Sequence, residues 1–149
     1  MIAQKIILPA IAATSVMTMF SYLIAHHEKK NFSESELLAK VEKMQLRLPK
    51  KVALPAGWVT HYAVGVMMTL MFELYKKYLN HKPASNRTIT FGVFAGLLAI
   101  AAWKILFKML PRRSHDFYKK FFIQLFIAHL IFAVAITGTQ KNLTKIYQS

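Results

Sequence analysis

Cysteine is absent from the 149 residues, so no disulfide, thiol nucleophile or thiolate metal site can form. Charge is scarce as well: 17% of residues are Asp, Glu, Lys or Arg, where a soluble domain carries about a quarter. What charge there is leans one way, with 20 basic against 6 acidic residues and a net charge of +14. No nucleic-acid fold motif accompanies it. The lysines and arginines gather between apolar blocks rather than on a solvated face, so nucleic acid is not an expected partner. No stretch outside the apolar blocks alternates with period two, which argues against strands. No two histidines stand at i, i+4, and no metal or other cofactor is expected.

What is present is hydrophobicity, 55% of the chain, with a mean hydropathy of +0.33. It falls in four blocks, residues 6–25, 57–79, 89–110 and 121–139, each long enough to cross a bilayer. Lys5 could open a signal peptide, but the apolar run after it is too long and no small-x-small site follows cleanly. The sequence therefore predicts an all-α polytopic membrane protein. Residues 1–149 form a single domain, a four-transmembrane-helix up-and-down bundle, with the lipid bilayer and other membrane subunits as partners.

The first loop carries Lys29, Lys30, Lys40, Lys43, Arg47, Lys50 and Lys51. The third loop and its flanks carry Lys104, Lys108, Arg112, Arg113, Lys119 and Lys120. The opposite side is poorer in positive charge. The positive-inside rule then places both loops in the cytoplasm of a bacterial inner membrane, with both termini outside.

Residues 26–56 contain a short amphipathic helix between the first two spans. Ser33 and Glu36 read as a capping box, followed by Leu37, Val41, Met44 and Leu48 at helical spacing. Two readings stand for it: a helix lying in the headgroup plane, or an ordinary loop helix packed on the bundle. Pro49 and Pro55 are expected to end it before the second span. Residues 80–88 form a short turn, which predicts that the second and third spans are antiparallel neighbours.

The second block has a regular interior. Gly57, His61, Gly65, Thr69 and Glu73 recur every fourth residue, which lays a small and polar stripe along one helix face. Ala10, Thr14, Thr18 and Ser21 form a similar stripe in the first block, and Gly92, Gly96 and Ala99 in the third. Such stripes belong between helices, with Gly65, Gly92 and Gly96 as packing positions. Leu and Phe are expected to face lipid, and Trp103, Lys104 and Lys108 to mark the interface end of the third span. Ser114, His115 and Asp116 spell a hydrolase triad, but adjacent residues cannot adopt its geometry.

Ionisable groups inside spans are rare and default to functional hypotheses. His61, Glu73 and His129 qualify, and with Thr18, Ser21 and Thr69 they make a candidate intramembrane polar site. Each also has a structural reading. The histidines can serve as neutral hydrogen-bond partners of neighbouring helices, His61 against Thr18 or Ser21. Glu73 can pair with Lys76 or Lys77. A haem between His61 and His129 would need both at one depth, but the helical rise sets them roughly 6–9 Å apart. No catalytic residue is assigned.

Thr14 and Met17, His61 with Gly65 and Tyr75, Gly92, Gly96 and Trp103, and His129 together resemble small YagU-like four-helix inner-membrane proteins of bacteria. The fourth helix departs from that pattern, with Phe132 and Ala133 where a glycine would follow the histidine. The resemblance implies the architecture rather than an activity. The expected function is a scaffold, accessory subunit or stress-related membrane factor without enzymatic activity. The alternatives are a proton-coupled carrier using His61, Glu73 and His129, and a membrane enzyme acting on lipid or quinone.

Overall fold

A computed structural model of the chain describes residues 3–78 and 83–148. It is built from five α-helices: α1 Leu8–Glu28, α2 Glu34–Gln45, α3 Lys50–Tyr78, α4 Ala84–Leu106 and α5 His115–Gln148. A π-helical turn, Ala3–Ile7, leads into α1, and a 3-10 turn, Phe107–Met109, follows α4. No strand occurs among the described residues. Leu79, which ends the second predicted span, and residues 80–82 of the predicted turn lie outside them.

Three segments, Lys5–Glu28, Ala84–Met109 and His115–Ile146, are long and apolar enough to cross a membrane. The second predicted span, α3, has the length at 29 residues but is not among them. Gly57, Thr60, His61, Gly65 and Thr69 dilute its apolar run.

Helix ends differ from the sequence expectation for local reasons. α1 continues past residue 25 to Glu28 and closes on Lys29, whose left-handed φ of 52° turns the chain. α3 starts at Lys50 rather than 57, because the Pro49 carbonyl accepts from the amides of Val52 and Ala53. Pro55 does not stop this helix: it lies inside α3, exposed and close to the N-terminus. α5 takes in half of the expected third loop. Its start is fixed by Ser114, whose Oγ accepts from the Phe117 amide at 3.2 Å and whose carbonyl accepts from the Tyr118 amide. It then runs on past residue 139 to Gln148.

α2 packs against α3. The built Cβ of Gly57 would come within 2.6 Å of the Ala39 amide nitrogen, so the two backbones nearly touch. Half of the predicted capping box is present: Ser33 Oγ accepts from the Glu36 amide. The return bond is replaced, since the Ser33 amide donates to Asn31 Oδ1 and Glu36 instead receives Asn31 Nδ2 at 2.6 Å. The apolar stripe is shorter than expected. Leu37 and Val41 are buried, Met44 is exposed, and Leu48 lies beyond the helix end at Gln45.

The small stripes Ala10-Thr14-Thr18-Ser21, Gly57-His61-Gly65-Thr69 and Gly92-Gly96-Ala99 are all buried. Most phenylalanines do not face outward as expected, Phe94 being an exception. Phe32, Phe72, Phe91, Phe107, Phe117, Phe121 and Phe132 are buried, and so is Trp103. Small residues bring helices together at a few crossings; where the helices stand apart, aromatic rings fill the gap. The outer surface carries mostly aliphatic side chains such as Leu23, Val59, Leu97, Ile105 and Val134, with Phe94, Tyr22 and Tyr78 among them.

α5 is the central wall, packed against both α1 and α4, and α1 also packs on α3. α3 and α4 are not the close neighbours that a short connection predicts. They meet at one end, where the Phe72 and Phe91 rings are 4.9 Å apart and Arg87 reaches the Lys76 carbonyl. Beyond that point they diverge.

Candidate functional site: a cavity between α3 and α4

The divergence leaves a cavity of about 350 Å³. Thr14 and Met17 of α1 and Leu125, His129 and Phe132 of α5 contribute to its wall. α3 contributes His61, Gly65 and Met68, and α4 contributes Ala99 and Trp103. Glu34 and Leu38 at the start of α2 join the lining. Val64, Met67, Leu98 and Ala102 also line it and are themselves exposed, so the cavity has an apolar mouth on the outer face of the bundle.

His61 and His129 are 5% and 7% exposed and share this cavity, although their chain positions set them at different helical depths. Their hydrogen bonds determine what each offers it. Thr18 Oγ1 donates to the Thr14 carbonyl at 2.7 Å, so its one proton is already engaged. The contact of 2.9 Å between Thr18 Oγ1 and His61 Nε2 is then a bond donated by the ring. His129 Nδ1 lies 2.8 Å from the Leu125 carbonyl, which can only accept, so Nδ1 carries the proton there. In the neutral rings this leaves His61 Nδ1 and His129 Nε2 as bare lone pairs, and neither is among the atoms sealed from solvent.

Glu34, 3% exposed, belongs to a polar cluster at one side of the cavity. Its Oε1 accepts from Ser21 Oγ at 3.1 Å and from Gln124 Nε2 at 3.2 Å, and Gln124 also donates to Ser21. Glu34 Oε2, Gln124 Oε1 and Thr14 Oγ1 are sealed without a partner. Burial pushes the Glu34 carboxyl above the usual carboxylate range, against the smaller opposing effect of its hydrogen bonds.

The structure divides the sequence-predicted residues. Thr18 stands against His61, whereas Ser21 serves Glu34. Thr69 bonds back to the Gly65 carbonyl within its own helix. Glu73 does not line the cavity; it pairs with Lys76 at 2.6 Å and accepts from Gln140. Gly65 packs on Thr14, Gly92 on Leu130 and Ala133, and Gly96 on Phe126. Glu34 and Gln124 were not anticipated. Gln124 had a signal, as a lone amide inside the fourth apolar block. Among the described residues no group of three or more His, Cys, Asp or Glu could hold a metal ion. The chain matches no family model, no curated protein and no solved structure.

Proposed function

We propose that this chain is a non-enzymatic inner-membrane accessory protein or scaffold, of the YagU-like kind, that holds a membrane-soluble molecule between α3 and α4. The apolar mouth of the cavity carries this reading: Val64, Met67, Leu98 and Ala102 open it sideways, where a molecule dissolved in the bilayer can enter. In this reading α3 is the fourth span. Its outward residues Val59, Leu70 and Leu74 suit lipid, and its polar stripe is turned inward. α2 lies near the headgroups on the cytoplasmic side, with Lys40, Lys43 and Arg47 exposed. Both termini are outside the cytoplasm.

The carrier reading needs His61, Glu73 and His129 on one path, and Glu73 lies apart from the cavity. The enzyme reading needs a base set against a nucleophile or carboxylate, but among the described residues His61 donates to Thr18 rather than accepting from it, and His129 bonds a backbone carbonyl.

The test uses the full chain in lipid nanodiscs with Trp58→Phe, which leaves Trp103 as the single tryptophan. A long-chain lipid alcohol with a brominated hydrocarbon tail, added to nanodiscs of unbrominated phospholipid, should quench buried Trp103, and Ala102→Phe, which narrows the mouth, should reduce the quenching. Trp103 fluorescence indifferent to the brominated lipid would reject the site.

A further inference from the structure

The head group of the occupant is legible in the hydrogen bonds that the cavity leaves unmade. Resting on the reading of this cavity as a lipophile site, we propose that the occupant carries a hydroxyl that donates to either His61 or His129: a membrane-soluble phenol, quinol or glyceride alcohol.

The two histidines have fixed tautomers, because Thr18 and the Leu125 carbonyl each take a ring N–H. What remains on these two lining residues is a pair of imidazole acceptors. The Thr14 hydroxyl is sealed against Gly65, so it offers an occupant nothing. A quinone, ketone or ether brings only acceptors, so its lone pairs would face those of the histidines and leave buried acceptors unpaired. A hydroxyl can satisfy one of them at a time. No Lys or Arg lines the cavity, which disfavours phosphate and carboxylate head groups. The rest of the lining, including Met17, Met68, Leu98 and Phe132, suits a hydrocarbon body.

The test measures displacement of the brominated lipid alcohol from the same nanodisc-held protein. The competitors are decylhydroquinone under reducing conditions, its quinone and its dimethyl ether, then dioctanoylglycerol and its O-methyl ether. At least one free hydroxyl compound should compete about tenfold better than its ether, and the better of the two identifies the source of the hydroxyl. His61→Phe and His129→Phe should each shrink that preference. Thr18→Val, which frees the His61 ring to present either nitrogen, should shrink it while leaving the fold intact if the histidine changes prove too damaging. Ethers and quinone that compete as well as the alcohols would overturn the hydroxyl proposal and leave the cavity reading standing. A preference that survives in all three variants would overturn it too. Failure of the brominated lipid itself to quench would remove both.

Discussion

Gly65 lies so close to Thr14 that a methyl group added to it would stand 3.3 Å from Thr14 Cβ and nearer still to the hydroxyl. This contact fixes the separation of α1 and α3 beside the cavity. Gly65→Leu should therefore destabilise the bundle by about 1–3 kcal/mol in detergent melting. Pairing the milder Gly65→Ala with Thr14→Ala should recover part of that variant's loss, since the obstacle is a side chain. Gly57→Ala should be harder to rescue, because it meets the α2 backbone. Gly138 has nothing within 4 Å, so Gly138→Ala should gain about 0.5–1 kcal/mol from helix propensity alone.

Glu34 gives stability a pH dependence. Burial raises its carboxyl, so the folded state holds the proton more tightly than the unfolded chain. Its contribution is fully present below the ordinary glutamate value, about 4.3, and is lost as pH rises through the folded value. Melting temperatures taken from pH 4 upward should fall over that window in the wild type. Glu34→Gln should flatten this part of the curve and melt higher at alkaline pH.

The inward placement of phenylalanine can be tested by contrast. Phe121 is 0% exposed and touches Phe32, Trp103, Phe107 and Phe117. Phe121→Ala should cost about 3–5 kcal/mol. Phe94 is 52% exposed, and Phe94→Ala should change melting far less. Equal losses would mean that the ring network does not hold the bundle.

Orientation is open to a fusion experiment. A reporter at the C-terminus that works only outside the cytoplasm should be active, and one attached within the first loop should be silent. Activity of a cytoplasm-only reporter at the C-terminus would reverse the topology.

The helices and their buried stripes were legible because both follow from periodicity: a residue every fourth position must share a face. The division of apolar residues between core and surface was not. Residue type misleads here: Phe91 shares an i, i+4 face with buried Ala95, Ala99 and Trp103, whereas the equally apolar Leu97 lies off that face and is exposed. Glu34 was illegible for another reason. It reaches Gln124, 90 positions away, only because α2 folds back over the end of α1. The gap between α3 and α4 was hidden as well, since a short connection brings helix ends together without obliging the rest of their lengths to follow.

Two helices pinned by Phe72 and Phe91 at one end and apart at the other behave like tongs. On the proposed reading, a bulkier hydrocarbon body would be met by the sparse packing between α3 and α4. The histidines have no such freedom, because their tautomers are held by Thr18 and Leu125 on the opposite wall. On the proposed reading, the cavity would be permissive toward the shape of a guest's tail and strict about the chemistry of its head.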